Sequence, residues 1–231
     1  MATELPGYYG TNNRLMTELQ TLATRDTAEY FYNLEIQPQF IPADVPETFA
    51  SLDASKAKCR YLASKHVTLD GFVAEYGVDK GKSFLELCSR FAENTVFGFD
   101  AFDGLPNDGE WPGNIVHDDE FRNGGVVPFD IPANGKVTVG WFNETLPAFD
   151  YGKSVAKFLH IDCDIYTGTV DILHNIADAI VPGTVIVFDD YCNHTNWRQG
   201  EYRAWQEFVN FKKLQYQYLY VAGMSVALKV I

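Results

Sequence analysis

The chain has 231 residues, and 18 Lys plus Arg stand against 31 Asp plus Glu, so its formal net charge at pH 7 is −13. Surfaces that bind nucleic acid or anionic membranes need clustered basic residues, and the basic residues here are scattered, which argues against both partners. The four cysteines form no C-x-x-C pair and no apolar run approaches the roughly 18 residues of a membrane helix, so we expect a cytoplasmic protein without disulfides or structural zinc.

The first 69 residues show a weaker pattern than the rest of the chain. Apolar residues at helical spacing predict one amphipathic helix near 15–23, and a second helix is predicted at about 53–66. We expect these helices to pack on or over the main sheet. The sequence therefore divides into an N-terminal helical extension or lid, residues 1–69, and a main domain, residues 70–231.

From residue 70 onward, short apolar runs alternate with segments of helical period. The apolar runs predict strands at 72–75, 95–99, 137–142, 157–162, 184–188, 216–220 and 225–230. Helices are predicted at 84–91, 172–180 and 202–209, and a Gly- and Pro-rich stretch at about 104–135 has the length of a lid or binding loop. Strands that are apolar on both faces, joined by helices, indicate a doubly wound and mostly parallel α/β sheet.

Ligands of such sheets bind beyond the carboxyl ends of the strands, so the residues that follow each predicted strand are the candidates for a site. The first strand runs into EYGVDKGKS, where Gly77 and Gly81 allow the backbone to approach a ligand closely. The spacing is neither the G-x-G-x-x-G of dinucleotide enzymes nor a complete P-loop, and a structural turn is an equal alternative. Asp100 ends the second strand, 23 residues after Gly77, where an acid can bind a ribose diol; the alternative is a cap of the turn at Gly104.

Three further acids, Asp162, Asp189 and Asp190, follow the fourth and fifth predicted strands. Carboxylates that converge at adjacent strand ends repel one another unless they are protonated or neutralised by a cation. Oxygen ligands select a hard cation such as Mg²⁺, so we predict a magnesium site; the alternative is that Asp189 or Asp190 only caps the next helix. Asp164 is predicted to be the N-cap or first-turn acid of the helix that follows it.

Two histidines lie near these acids in the sequence. His160 alternates onto the same strand face as Asp162, so it either supports a metal ligand or is a satisfied strand histidine. His194, in the loop after the fifth strand, is a candidate for contact with a substrate, and the alternative is a surface histidine.

Five segments in this order resemble the macrocin O-methyltransferase family of class I S-adenosylmethionine-dependent methyltransferases: VAEYGVDKGKS, GFDAFDGLP, GWFNETLP, FLHIDCDIYTGT and VIVFDDY. The resemblance covers about residues 70–208. It implies a Rossmann-like, seven-stranded methyltransferase sheet, mostly parallel, with an antiparallel C-terminal strand. The chain departs from the family at Ala101, where Ser or Thr is usual, and at Gly168, where Ser is common.

The resemblance also implies which residues contact the cofactor, S-adenosyl-L-methionine. The implied residues are, on the methionine and ribose side, Glu75, Gly77, Gly81, Ser83 and Asp100, and, beside the adenine, Phe102, Gly140 and Trp141. Asp162, Asp189 and Asp190 match the positions through which the family binds magnesium.

These assignments predict a Mg²⁺-dependent O-methyltransferase that acts on a small hydroxylated acceptor, such as a vicinal diol of a sugar or glycosylated metabolite. Transfer to oxygen needs a deprotonated hydroxyl held in line with the methyl–sulfur bond. Asp162, or a histidine such as His194, would accept the proton.

Two alternatives use the same sheet. A nicotinamide-dependent oxidoreductase is disfavoured by the missing G-x-G-x-x-G. A non-catalytic nucleotide- or sugar-binding module is disfavoured by the intact acidic triad. Aromatic residues in the N-terminal region would permit a homo-oligomer.

Overall fold

The structure is a computed structural model that describes residues 13–41, 49–106 and 121–231. The strands are β1 (Gln39–Phe40), β2 (Phe72–Tyr76), β3 (Val96–Asp100), β4 (Gly135–Val139), β5 (Ala156–Ile161), β6 (Val185–Phe188), β7 (Tyr216–Ala222) and β8 (Ser225–Val230). The helices are α1 (Asn13–Tyr32), α2 (Phe49–Ser64), α3 (Lys82–Arg90), α4 (Phe142–Thr145), α5 (Tyr166–Asn175) and α6 (Glu201–Lys212).

The eight strands form one sheet in the order β1-β7-β8-β6-β5-β2-β3-β4. All neighbouring strands are parallel except β8, which runs antiparallel to both β6 and β7. The chain builds outward from β2 through β3 to β4 and then returns to β5 on the other side of β2. This is the predicted doubly wound Rossmann-like sheet with an antiparallel C-terminal strand, and β1 is an eighth strand that the sequence did not predict.

Helices cover both faces of the sheet. One core cluster joins α1, α5 and α6 to the sheet through residues such as Phe31, Ile172 and Trp205. The other joins α2 and α3 to the opposite face, with Cys59 and Phe84 among its members. Because both faces are covered, β2, β5 and β6 are buried along their whole length, as the continuous apolar runs predicted.

Several elements end at positions that differ from the prediction, and two of these ends have a clear local cause. The fifth helix ends at Asn175 rather than near 180, because Ile176 leaves the helical conformation at φ −105 and ψ 13. β4 was predicted at 137–142 but ends at Val139, since Gly140 turns the chain at φ +140 toward α4.

The N-terminal part of the chain packs directly on the main sheet. β1 pairs in parallel with β7, and α2 supplies Cys59 and Ala63 to the core. Residues 1–12, 42–48 and 107–120, which include the middle of the predicted 104–135 loop, lie outside the described residues. Among the described helices, none combines the length and apolar character needed to span a bilayer.

Candidate active site

A cavity of about 810 Å³ opens at the carboxyl ends of the central strands. Gly77 follows β2, Asp100 ends β3, Asp162 follows β5 and Asp189 follows β6, and all four residues line the cavity. The strand order reverses between β2 and β5. The cavity therefore lies at the switch point, where doubly wound sheets bind their ligands.

The turn after β2 passes so close to the end of β5 that only glycine fits. Gly77 has φ +88, and a Cβ atom at this position would lie 1.7 Å from the carbonyl oxygen of Asp162. The N–H of Gly77 donates to the carbonyl of Phe99 at 2.9 Å, and the N–H of Asp162 donates to the carbonyl of Tyr76 at 2.8 Å. Bare backbone thus forms the cavity wall at the meeting point of three strands.

The Asp100 carboxylate holds this turn in place. Its Oδ2 atom accepts hydrogen bonds from the N–H groups of Val78 and Asp79 at 2.6 and 2.8 Å, and its Oδ1 atom accepts one from Phe102 at 2.7 Å. These donors differ from the predicted alternative, a cap of the turn at Gly104. The carboxylate is fixed by three donors and still lines the cavity.

Five of the eight residues that the resemblance assigned to the cofactor line the cavity. They are Gly77, Ser83, Asp100, Gly140 and Trp141. Ser83 lies in the first turn of α3. Gly77 and Gly140 directly follow β2 and β4, Asp100 ends β3, and Trp141 precedes α4.

The other three, Glu75, Gly81 and Phe102, lie outside the set of described residues that line the cavity. Glu75 and Phe102 are fully buried. Gly81 precedes α3 at φ +79, where a Cβ atom would lie 2.5 Å from the ring of Phe129. All three therefore have structural reasons for their identity, and their contact with a cofactor stays a prediction.

Glu75 instead holds His160, which lies on the neighbouring strand β5. The Nδ1 atom of His160 lies 2.7 Å from Glu75 Oε1, and its Nε2 atom lies 3.4 Å from Asp189 Oδ1. Burial alone would lower the pKa of His160, but the hydrogen bonds to Asp189 and Glu75 outweigh it and raise the pKa to about 9. His160 is therefore an imidazolium at neutral pH that links two buried carboxylates, consistent with a supporting role.

Three other carboxylates converge at the cavity: Asp162, Asp164 and Asp190 offer oxygen atoms that lie within 4.8 Å of one another. Loss of water contact, followed by the charge of Asp189, raises the pKa of Asp162 well above its usual range. Loss of water contact and then the charges of Asp190 and Asp162 do the same to Asp164. The cluster thus brings together carboxyl groups that burial and their mutual repulsion disfavour in the charged form.

A fourth acid, Glu201, adds to this excess from the first turn of α6. It is fully buried, and its Oε2 atom accepts a hydrogen bond from the N–H of Asp190 at 3.0 Å. Burial and then the charge of Asp190 raise the pKa of Glu201 well above its usual range. Its Oε1 atom has no partner within the part of the chain that the structure describes.

Asp189 differs from its neighbours because positive charges surround it. Lys56 donates to its Oδ2 atom, Arg60 Nη1 lies 3.5 Å from its Oδ1 atom, and Ser225 Oγ donates to Oδ1 at 2.9 Å. Burial would raise the pKa of Asp189, but the charge of Lys56 and the hydrogen bond of His160 hold it well below the usual range.

The described residues offer two overlapping sets of possible metal ligands beside the predicted one. In the first set, Asp162, Asp189 and His160 offer atoms within 4.8 Å of one another, but an imidazolium cannot be a metal ligand, and three cations, Lys56, Arg60 and His160, surround Asp189. The second set is Asp162, Asp164 and Asp190, in which Asp190 contacts Lys56 at 3.4 Å. This second set shares Asp162 and Asp190 with the predicted metal residues, and the metal role of Asp189 stays a prediction.

The prediction that Asp164 is the N-cap or a first-turn acid of the following helix is also wrong. The N-cap of α5 is Ile165, and the first helical residue is Tyr166. Asp164 itself adopts a left-handed conformation at φ +66 and lines the cavity. Non-glycine residues held in this conformation cost about 1 kcal/mol or more and concentrate at functional sites.

His194 lies outside the described residues that line the cavity. Its Nε2 atom is 2.9 Å from the carbonyl oxygen of Asp190, and its Nδ1 atom is 3.0 Å from that of Thr195. Because both ring nitrogens face acceptors of the backbone, the imidazole braces the loop after β6. We therefore assign no proton transfer to His194.

The sequence interpretation missed Lys56 and Arg60, which reach the site from α2. Their spacing of four residues places them on one helix face, next to the buried Cys59 and Ala63. The sequence contained one signal for them: two basic residues that fall on the apolar, core-facing side of a predicted helix. The ion pair of Arg60 with Glu86, at 3.1 Å, also ties α2 to α3.

Comparison with known proteins agrees with this architecture. The family model described as a methyltransferase domain matches residues 74–191, just over half of the chain. A curated relative from Streptomyces olivaceus, 8-demethyl-8-(2,3-dimethoxy-alpha-L-rhamnosyl)-tetracenomycin-C 4'-O-methyltransferase, is 30% identical over 142 residues. That match covers 52% of this chain and 53% of the relative, so the chain spans about half the length of the curated relative it matches.

Solved structures share the fold over nearly the whole chain. A calicheamicin methyltransferase has a TM-score of 0.63 at 19% identity, covering 96% of this chain and 95% of its own. The O-methyltransferase NovP has a TM-score of 0.55 at 17% identity, covering 95% and 99%. At these identities the likeness concerns the fold, whereas the family match concerns the sequence of the strands and turns that form the cavity. The chain belongs to the methyltransferase domain family.

Proposed function

We propose that the protein is an S-adenosyl-L-methionine-dependent O-methyltransferase that binds Mg²⁺ and methylates a hydroxyl group of a small, sugar-bearing acceptor. The observation that carries this proposal is the convergence of Asp162, Asp164 and Asp190 beside the switch-point cavity. The family match supports methyl transfer. The narrower resemblance to macrocin O-methyltransferases belongs to the proposal as well.

For the cofactor, we assign Gly77, Ser83, Asp100, Gly140 and Trp141. S-adenosyl-L-methionine supplies a methyl group on a positively charged sulfur. Gly77 offers bare backbone for close approach, and Asp100 is held rigidly with lone pairs left for ribose hydroxyls. Trp141 offers an aromatic surface at the cavity wall. The excess of acidic residues in the cavity favours a cationic ligand.

For the metal, we assign Asp162, Asp164 and Asp190. Their oxygen-only donor set fits a hard divalent cation. Mg²⁺ bound there would lower the pKa of an acceptor hydroxyl and restrict its orientation. Glu201 holds the backbone of Asp190, and Gly77 packs against the backbone of Asp162, so the ligands are positioned by buried groups.

For the proton, we assign Asp162, as the sequence predicts, with Asp164 as the second candidate. Both carboxyl groups line the cavity, where they can face an acceptor hydroxyl. His160 is unsuited to this task because it is buried and already protonated.

The acceptor class rests on the curated relative. Its printed name describes 4'-O-methylation of a rhamnosyl group on tetracenomycin. A sugar with neighbouring hydroxyls matches a site that combines a hard-cation cluster with proton-accepting carboxylates. We therefore propose a hydroxyl of a deoxysugar or glycosylated metabolite as the methyl acceptor.

The test is methyl transfer from radiolabelled S-adenosyl-L-methionine to a panel of rhamnosylated acceptors, with Mg²⁺ and with chelator. We expect activity that chelator abolishes and Mg²⁺ restores. Asp164→Asn should lower kcat at least about 100-fold, with the affinity for S-adenosylhomocysteine changed less than threefold in calorimetric titration. Asp171→Asn, which removes a cavity-lining carboxylate outside the cluster, is the matched control and should retain activity.

Three outcomes would contradict parts of this proposal. Full activity in chelator would exclude the metal role. Tight binding of S-adenosylhomocysteine without methyl transfer to any sugar would favour the non-catalytic module. Binding of NAD in place of S-adenosylhomocysteine would favour the oxidoreductase.

A further inference from the structure

The ammonium group of Lys56 occupies the edge of the acidic cluster. It hydrogen-bonds to Asp189 Oδ2 and lies 3.4 Å from Asp190 Oδ1. The Lys56 side chain is only 13% exposed and lines the cavity. A cation supplied by α2 therefore contacts one of the three residues, Asp190, that we assign to the metal.

The neighbouring cations are held differently. Arg60 also lies near Asp189, but it is shared with Glu86 on α3 at 3.1 Å. His160 is locked on β5 between Glu75 and Asp189. Lys56, on its flexible four-carbon side chain, is the cation of this group that can withdraw from Asp190 into the cavity without moving the backbone.

A divalent cation at Asp162, Asp164 and Asp190 would be only a few ångströms from the Lys56 ammonium. Two such positive charges repel strongly in a partly dehydrated site. Asp190 Oδ1 cannot be fully available to a metal while it faces Lys56. The arrangement makes the lysine and the metal alternative partners for the same carboxylate.

We infer that Lys56 is a built-in competitor for the metal site: its ammonium neutralises the cluster when no divalent cation is bound, and cation binding displaces it from Asp190. This inference rests on the metal assignment in the proposed function. It gives α2 a role in setting how tightly the site binds Mg²⁺. The displaced ammonium would remain in the cavity, paired with Asp189 or facing the acceptor.

The first experiment uses the unaltered protein. Lysines are trace-labelled with acetic anhydride, with and without saturating Mg²⁺, and the labelling of each lysine is measured by peptide mass spectrometry. We expect Lys56 labelling to rise several-fold with Mg²⁺, because the buried ammonium is released. Lys82, which also lines the cavity but is 75% exposed and pairs with Asp53, is the internal reference and should not change.

The second experiment measures Mg²⁺ affinity by calorimetric titration of the wild type, Lys56→Met and Lys82→Met, with folding checked by circular dichroism. We expect Lys56→Met to bind Mg²⁺ about tenfold more tightly, since one repelling charge is removed, and Lys82→Met to match the wild type. Equal or weaker affinity in Lys56→Met, or unchanged Lys56 labelling, overturns the inference while the metal site stands. If none of the three proteins binds Mg²⁺, the metal assignment itself fails, and the inference fails with it.

Discussion

At the scale of single residues, the backbone of Gly77 connects the fold to the site. Its φ of +88 and its contact with the Asp162 carbonyl bring the ends of β2 and β5 together. The same closeness leaves bare backbone at the cavity wall. The packing of the strand ends and the shape of the cavity wall therefore both depend on the absence of a side chain at Gly77.

We expect Gly77→Ala to lower the free energy of unfolding by more than about 3 kcal/mol, because a Cβ atom 1.7 Å from a carbonyl oxygen forces the two strand ends apart. Gly152→Ala is the matched control. Gly152 has φ +67, and no atom of the described residues lies within 4 Å of an added Cβ, so Gly152→Ala should cost about 1 kcal/mol from backbone strain alone. Urea denaturation measures both, and equal losses would refute the steric argument.

Most of the residues that the sequence identified at the site share one property: they stand at the end of a strand or in the turn that follows it. Gly77, Asp100 and Asp162 could be found because the ends of parallel strands meet at one edge. Lys56 could not, because its approach depends on how α2 packs across the sheet. Asp164 was misassigned because a left-handed backbone, rather than a helix cap, sets its direction, and sequence spacing does not encode that choice.

At the scale of elements, α1 holds the loop that follows β6. The backbone N–H of Asn193 donates to Thr27 Oγ1 at 2.9 Å, and Asn193 Oδ1 accepts from Thr24 Oγ1 at 2.8 Å. Gln20 donates to the Asn193 carbonyl at 2.6 Å. Since Asn193 follows Asp190 by three residues, a helix from the N-terminal part of the chain braces the segment that carries two of the site acids.

We expect Thr27→Val to lower the free energy of unfolding by about 1–3 kcal/mol, because it leaves the Asn193 N–H without its acceptor in a buried setting. Hydrogen exchange of residues 191–196 should accelerate as well. Thr24→Val removes a hydroxyl from the same helix and the same asparagine, but at an exposed position, and should cost less than about 0.5 kcal/mol. Unchanged exchange in Thr27→Val would show that α1 does not brace the loop.

The elements themselves followed from apolar patterning, with clear limits. The seven predicted strands are all present, and β2, β5 and β6 were the clearest because strands covered on both faces are largely apolar. β1 was missed because two residues, Gln39 and Phe40, carry no period, and only pairing with β7 makes them a strand. The end of α5 was misplaced because Ile176 and Ile180 are buried in the core beyond the helix. These apolar residues continue the helical spacing of the sequence although the helix has already ended.

At the scale of the whole molecule, the net charge of −13 matters less than how charge is paired in the interior. Glu75, His160 and Asp189 form a buried chain of acid, imidazolium and acid. Three cations, Lys56, Arg60 and His160, surround Asp189, whereas of these three only Lys56 also contacts Asp190. The carboxylate of Asp189 therefore belongs to a fixed structural network. Asp190 belongs to the set of carboxyl groups to which we assign the metal.

The stability of the molecule should therefore depend on pH through His160. Its pKa in the folded protein is raised from about 6.5 to about 9, so the stabilisation is fully present below pH 6.5 and is lost as the pH rises through 9. At about 1.4 kcal/mol per pKa unit, the loss amounts to as much as about 3 kcal/mol. Urea unfolding at pH 6, 7.5 and 9 in chelator measures it. His160→Gln should have a lower free energy of unfolding at pH 6, and that free energy should change less between pH 6 and 9. His174→Gln, at an exposed position, is the matched control and should show the pH dependence of the wild type. A wild-type slope in His160→Gln would show that other groups cause the pH dependence and that the Glu75–His160–Asp189 chain is not charged as the structure indicates.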